Sequence, residues 1–271
     1  MTNNIPDSFD VSAFIAKARN VIRTKTEADT QPSPGALSGP VDLPKPQKLA
    51  FAPAVEKLRP LYKWQGGKTR LLTTYTPHLP VCVDSYVEPF FGAGALFCHV
   101  RNVYSRMPAL INDINPYLVN VLNTIKHYPA LFTKHVKQTE RDYLAISSYE
   151  ERRQFFYQAR ENYWSLEDKR KLIPEAVSVG VCAAAALYFM LKTSFNGLWQ
   201  PMKTRNDYFG TAFGRGNEKP GFIDYNLIFE WHEHLQDTTI SNCRYEENHI
   251  SDNSFVFCEP PYLDNKVTYG E

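Results

Sequence analysis

The sequence lacks an excess of charge of either sign. Its 30 Lys and Arg stand against 29 Asp and Glu, a net charge of +1 over 271 residues. A protein that held nucleic acid by bulk charge would be far more basic, so any such role must rest on local patches. Cysteine is scarce, with five residues at positions 82, 98, 182, 243 and 258, none in CxxC spacing. An odd count without paired spacing argues against a disulfide framework or a zinc site and fits reduced thiols in the cytoplasm. No long hydrophobic run is present. The most apolar one, Ala176–Leu191, is about sixteen residues and contains Gly180, which is short for a membrane span and reads as a buried helix. The opening MTNNIPDSFD has neither the basic nor the apolar segment of a secretory signal.

What is present is ordinary globular material, 43% apolar and 22% charged, long enough for one large domain with a sizeable core. Seven of the 19 prolines fall between residues 31 and 60, so a regular helix or central strand is excluded there and 26–56 reads as a linker. Before it, Phe14, Ile15, Ala18, Val21 and Ile22 recur at helical spacing from about Asp10. That short amphipathic helix either packs on its own protein or docks a partner. The folded body begins near Leu58.

Val83–Val87 and Ala109–Asn112 read as strands, each followed by a helical pattern. The second helix has Asn115 as its cap and Pro116 at its first position. Residues 129–172 are polar, aromatic and helical in pattern, whereas 192–222 read as an extended loop or hairpin. Tyr225–Leu235 reads as a helix, and Thr238–Cys243 and Ser254–Cys258 as strands. Strand–helix–strand order indicates an α/β fold with a parallel sheet, whose ligands sit beyond the C-terminal strand ends. Glu88, Asp113 and Glu259 all fall at such ends.

Three clusters carry candidate chemistry. Lys63-Trp64-Gln65-Gly66-Gly67-Lys68 offers a stacking face, a close backbone approach and a cation; alone it is no more than a turn beside a lysine. Glu88-Pro89-Phe90-Phe91-Gly92-Ala93-Gly94 sits where a strand turns into a helix. Its pattern is GxGxxF, and the missing third glycine disfavours a nicotinamide-dependent dehydrogenase. Asp113, 19 residues beyond Gly94, is placed to accept the hydroxyls of a ribose. In Glu259-Pro260-Pro261-Tyr262 the prolines stiffen a strand exit. There a carboxylate and a carbonyl can accept both hydrogens of an exocyclic amine while the aromatic stacks on its ring. Two stretches are also locally basic. Residues 57–70 carry Lys57, Arg59, Lys63, Lys68 and Arg70 with no acid, and residues 192–219 carry a net +3.

The three clusters in this order resemble the Dam-type DNA adenine-N6 methyltransferases over about residues 60–271. KWQGGK is similar to that family's N-terminal cofactor motif, EPFFGAG to its glycine-rich motif and Asn112–Pro116 (NDINP) to its ribose-acid motif. Phe195–Leu198 (FNGL) and Phe213–Arg215 (FGR) resemble the segments around its DNA-recognition hairpin. The resemblance implies a Rossmann-like methyltransferase sheet with an inserted helical and hairpin DNA-recognition region. The catalytic domain would comprise 58–128 and 225–271, the recognition region 129–224, and the N-terminal extension 1–57. It implies S-adenosylmethionine as cofactor, held by Trp64, Lys68, Glu88, Phe90, Gly92, Gly94 and Asp113, and no metal. It implies Glu259, Pro260 and Tyr262 as the residues that hold a flipped adenine. Phe195, Asn196, Lys203, Arg205 and Arg215 would contact double-stranded DNA.

Two departures stand out. Glu259 occupies the place of the family's Asp. One added methylene moves the carboxylate by roughly 1 Å or more, and misplacement of that order costs about 100-fold. Slow methylation is therefore one expectation, and a weak or inactive DNA- or cofactor-binding relative, a decoy or partner subunit, is the alternative. Only nine residues follow Tyr262, so the catalytic body is expected to be short at its C-terminus. The strand ending at Cys258 is then expected to form an exposed sheet edge, a candidate protein-docking surface alongside the N-terminal helix.

Overall fold

In the computed structural model, residues 57–64, 67–80, 83–104, 106–205 and 207–260 are described. The expected N-terminal helix, the proline-rich stretch before residue 57, and Tyr262 lie outside them. The described residues from Leu58 onward form one compact unit.

Its centre is a four-stranded parallel sheet in the order β5-β2-β1-β6. The strands are β1 (Ser85–Glu88), β2 (Ala109–Asn112), β5 (Thr238–Ser241) and β6 (Ser254–Val256). Val87 lies opposite both Leu110 and Val256, and Ile111 opposite Ile240. Strand β1 starts two residues later than the pattern predicts and ends one later, on Glu88; just before it the Asp84 N–H donates to Asn253 O at 3.0 Å. Among the described residues β6 pairs only with β1 and forms one edge of the sheet.

The chain runs outward from β1 to β2 and, later, to β5, then returns to the other side of β1 as β6. The order therefore reverses between β1 and β6, and a crevice opens beyond their C-terminal ends.

Helix α1 (Ala95–Val103) connects β1 to β2, and α2 (Pro116–His127) leaves β2. Asn115 caps α2, its side-chain oxygen accepting from the N–H groups of Tyr117 at 3.0 Å and Leu118 at 3.3 Å. That satisfies two of the orphan donors of the first turn. Helices α3 (Pro129–Leu144), α4 (Tyr149–Leu172) and α5 (Val177–Thr193) follow. The predicted apolar helix is α5. It is apolar almost all round, as a helix surrounded by others must be, and it packs against α2, α3 and α4. A short antiparallel hairpin, β3 (Pro201–Met202) with β4 (Tyr208–Phe209), leads to α6 (Tyr225–Leu235) and back into the sheet.

Arg101 on α1 ties the inner layer together. Its guanidinium donates to Thr238 Oγ1 at 2.6 Å and to the Met107 carbonyl, and lies 5.1 Å from the Phe97 ring centre. His232 reads from sequence as a surface residue. It is partly buried instead, its Nδ1 placed 3.0 Å from Lys126 O, where α6 docks on the end of α2.

Candidate active site and nucleic-acid surface

The glycine turn after β1 is shaped by its neighbours. Gly92 has φ +55°, and a Cβ added there would stand 2.8 Å from Trp64 Cδ1. Only glycine combines the left-handed conformation with so close an aromatic face. The Gly92 N–H donates to Asp113 Oδ2 at 2.8 Å, and the Asn115 N–H to Oδ1 at 2.8 Å. Asp113 is thus held by both oxygens at the end of β2, with its carboxyl pushed up by burial and drawn back by those two bonds. Each oxygen keeps a further lone pair for a ligand.

Trp64 belongs to an aromatic wall. Its ring is 6.2 Å from Tyr62 and 6.4 Å from Trp199, and Trp199 stacks on Tyr117 at 5.7 Å. Phe90 lies 5.3 Å from Tyr245. Sequence reasoning missed Trp199, Tyr117 and Tyr245. The only trace of Trp199 is its place one residue after the Phe195–Leu198 segment.

Glu88 ends β1 and is 3% exposed. Tyr86 OH donates to its Oε2 at 2.7 Å. Burial pushes its carboxyl up to about 8, against the pull of the Tyr86 hydroxyl and a backbone N–H, with the Asp113 charge adding to the rise. Asn112, the first residue of the NDINP motif, locks the ends of the strands. Its amide donates to Pro89 O at 3.0 Å and Cys243 O at 3.1 Å and accepts from Ser241 Oγ at 2.9 Å.

Glu259 follows β6, two residues after the Phe257 N–H donates to Val87 O at 2.9 Å. Its Oε1 forms an ion pair with Lys68 Nζ, and both side chains are largely covered. The lysine of the first cluster and the acid of the third therefore meet across the β1–β6 crevice. Gly92, Gly94, Asp113, Glu88, Trp64, Lys68 and Glu259 gather at the sheet ends. The neighbouring Cys258 thiol is pushed up to about 11 by burial, which suits a packing residue better than a nucleophile.

The two basic stretches also meet. Gly197 lies against Lys63, whose Cβ stands 3.0 Å from where a Cβ on Gly197 would be. Lys192 Nζ donates to Leu61 O at 3.4 Å, and burial and the nearby Arg59 and Lys63 charges lower its basicity. Phe195 is 52% exposed, and Asn196 beside it has φ +55°.

This segment is held from behind by residues 212–214. Phe195 N–H donates to Ala212 O and Gly214 N–H to Thr193 O, both at 2.9 Å. A Cβ on Gly214 would lie 2.6 Å from Thr193 O, so only glycine permits the approach. Lys203 and Arg215 are exposed. Arg205 is turned toward α4, over the Trp164 ring at 4.9 Å and 3.5 Å from Asp168.

This arrangement matches a known family. The D12 class of N6 adenine-specific DNA methyltransferases matches residues 64–270. The chain belongs to that family. Among similar proteins, it is 26% identical over 213 residues to the Type II methyltransferase M.MjaIII of Methanocaldococcus jannaschii, covering 76% of this chain and 70% of that protein. It is 29% identical over 214 residues to the Type II methyltransferase M1.LlaDCHI of Lactococcus lactis subsp. cremoris, covering 76% and 66%. It is 28% identical over 216 residues to the DNA adenine methylase of Vibrio cholerae, covering 79% and 69%. Among the described residues, no helix of this D12-class chain is long and apolar enough to cross a membrane.

Proposed function

We propose that this chain transfers a methyl group from S-adenosylmethionine to the N6 amine of adenine in double-stranded DNA. The observation that carries the reading is the gathering of Glu88, Asp113 and the Lys68–Glu259 pair around the crevice where the strand order reverses. S-adenosylmethionine supplies, when bound, a methyl group activated on a sulfonium. The residues suit such a ligand. Asp113 offers acceptors for ribose hydroxyls, and Trp64 and Phe90 offer aromatic faces. The absence of a side chain at Gly92 lets the Trp64 indole close against the turn that carries Asp113's hydrogen bond.

The chain's own residues do the positioning. Glu259 and the Pro260 carbonyl accept the two amine hydrogens and aim the nitrogen's lone pair. Lys68 fixes the Glu259 rotamer through the ion pair. Tyr262 stacks on the base. Leaving the duplex costs a few kcal/mol, and exposed Phe195 covers the stacking face left behind. Lys63, Lys192, Lys203 and Arg215 meet phosphates, and Asn196 contacts DNA beside them.

The test is labelled methyl transfer to unmethylated duplex DNA, followed by digestion to nucleosides. Label is expected in N6-methyladenine and is expected to vanish in Glu259→Ala. One observation favours a second reading: Glu259 is one methylene longer than the family's acid and is already paired with Lys68. Binding of DNA and donor with no transfer by the wild-type protein would establish that binding-only role.

A further inference from the structure

The hairpin β3–β4 is short. Its ladder is two pairs long, Pro201 with Phe209 and Met202 with Tyr208, and isolated hairpins are marginal at best in water. Its path is held instead by one face of α4. Residues 160, 164 and 168 follow at i, i+4 and i+8 and so share that face.

Arg160 Nη1 donates to Gly210 O at 3.0 Å and to Thr211 O at 3.3 Å. Trp164 Nε1 donates to Phe209 O at 3.1 Å in a buried bond. Asp168 Oδ1 accepts from Tyr208 OH at 2.8 Å. Successive turns of one helix thus grip the consecutive residues 208–211. Two turns earlier, Arg152 Nη1 donates to Gly216 O at 2.8 Å and Glu218 O at 3.3 Å, extending the grip along the following segment.

Most of these bonds end on backbone carbonyls. They set the course of the main chain whatever side chains the hairpin carries. The exposed tip, including Lys203, receives its orientation from this helix, and the same stretch of chain continues into residues 212–214 that back Phe195 and Asn196.

We propose that Arg160 and Trp164 are positioning residues that set the angle at which 195–215 meets DNA, and so set sequence discrimination. The chemistry stays with the sheet-end site. This rests on the reading of 195–215 as the DNA-contacting segment.

The test methylates a pool of duplexes, randomised over their central base pairs, with S-adenosylmethionine and the full-length chain. Methylated sequences are then read out. Arg160→Met and Trp164→Phe are expected to raise KM for the pool, to leave kcat unchanged, and to broaden the profile. The preference for the best sequence over its single mismatches should fall about tenfold, within the range that one base pair's readout is worth. Arg160→Lys, which keeps a donor, should lie between wild type and Arg160→Met. Thermal unfolding of each variant is followed in parallel. A change that merely tracks a smaller folded fraction, with the profile intact, overturns the proposal. So does an unchanged profile in both variants when Asn196→Ala alters it; that result leaves the DNA-contact reading standing. An unchanged profile in Asn196→Ala overturns the DNA-contact reading itself and the inference with it.

Discussion

Replacing Gly92 by alanine would test the site with a single methyl group. Two costs are separable in the structure. The first is conformational: at φ +55°, an L-residue with a Cβ is about 1–2 kcal/mol worse than glycine. The second is steric: the new Cβ would stand 2.8 Å from Trp64 Cδ1 and 3.0 Å from Nε1, so the indole must move. In a chain of this size 1 kcal/mol shifts Tm by about 2–4 °C, and the conformational cost alone predicts a loss of about 2–8 °C.

Moving Trp64 would also disturb the wall it shares with Tyr62 and Trp199. Donor affinity should therefore fall by about two- to tenfold, since one aromatic pairing is worth about 0.5–1.5 kcal/mol. Calorimetry with S-adenosylmethionine reads the affinity, and a thermal melt reads the stability. The double variant Gly92→Ala/Trp64→Ala isolates the steric share. With the indole gone, alanine at 92 should cost only its conformational strain, giving a coupling of about 0.5–3 kcal/mol between the two sites. Strictly additive effects, or an unchanged Tm in Gly92→Ala, would refute the reasoning.

Three further outcomes follow from the same geometry. Glu259→Asp is expected to speed labelled methyl transfer if the added methylene misplaces the carboxylate, and Lys68→Met to slow it by about 10- to 100-fold because the carboxylate is no longer held by its cation; no change in either rate would contradict the placement. Glu88 keeps its proton in the folded state up to about pH 8 and loses it near pH 4.5 when unfolded. Its contribution to stability is full below pH 4.5 and is lost as pH rises to about 8, at a slope of at most about 1.4 kcal/mol per pH unit. Denaturant titrations at several pH values should show this decline, and Glu88→Gln should flatten it. Removing Lys63 and Lys192 together should reduce the dependence of log K for DNA on log salt by about 0.9 for each phosphate no longer neutralised, with donor binding unaffected; an unchanged slope would remove them from the DNA surface.

Much of the site can be read locally. Asn115-Pro116 marks the start of α2 because capping is an affair of adjacent residues, and the cap bonds lie where the pattern puts them. The GxG turn is legible because only glycine tolerates the required backbone, and Asp113 because strand ends follow from apolar runs. The second strand falls on its predicted residues, whereas the first is displaced, because its ends depend on which partner groups bond to it. Residues 129–172 show helical pattern throughout, yet nothing in the spacing separates α3 from α4.

The chain alone determined which segments are helix, strand and glycine turn, and which family's motifs they carry, because those features depend on neighbouring residues and short-range sterics. Only the tertiary structure decided that Lys68 faces Glu259, that Trp199 completes the wall beside Trp64, that Lys63 and Lys192 share one surface, and that α4 grips the hairpin. Each of these joins residues far apart in the chain. Such contacts arise from how the helices pack on a sheet whose strand order reverses, and no spacing along the sequence encodes that distance.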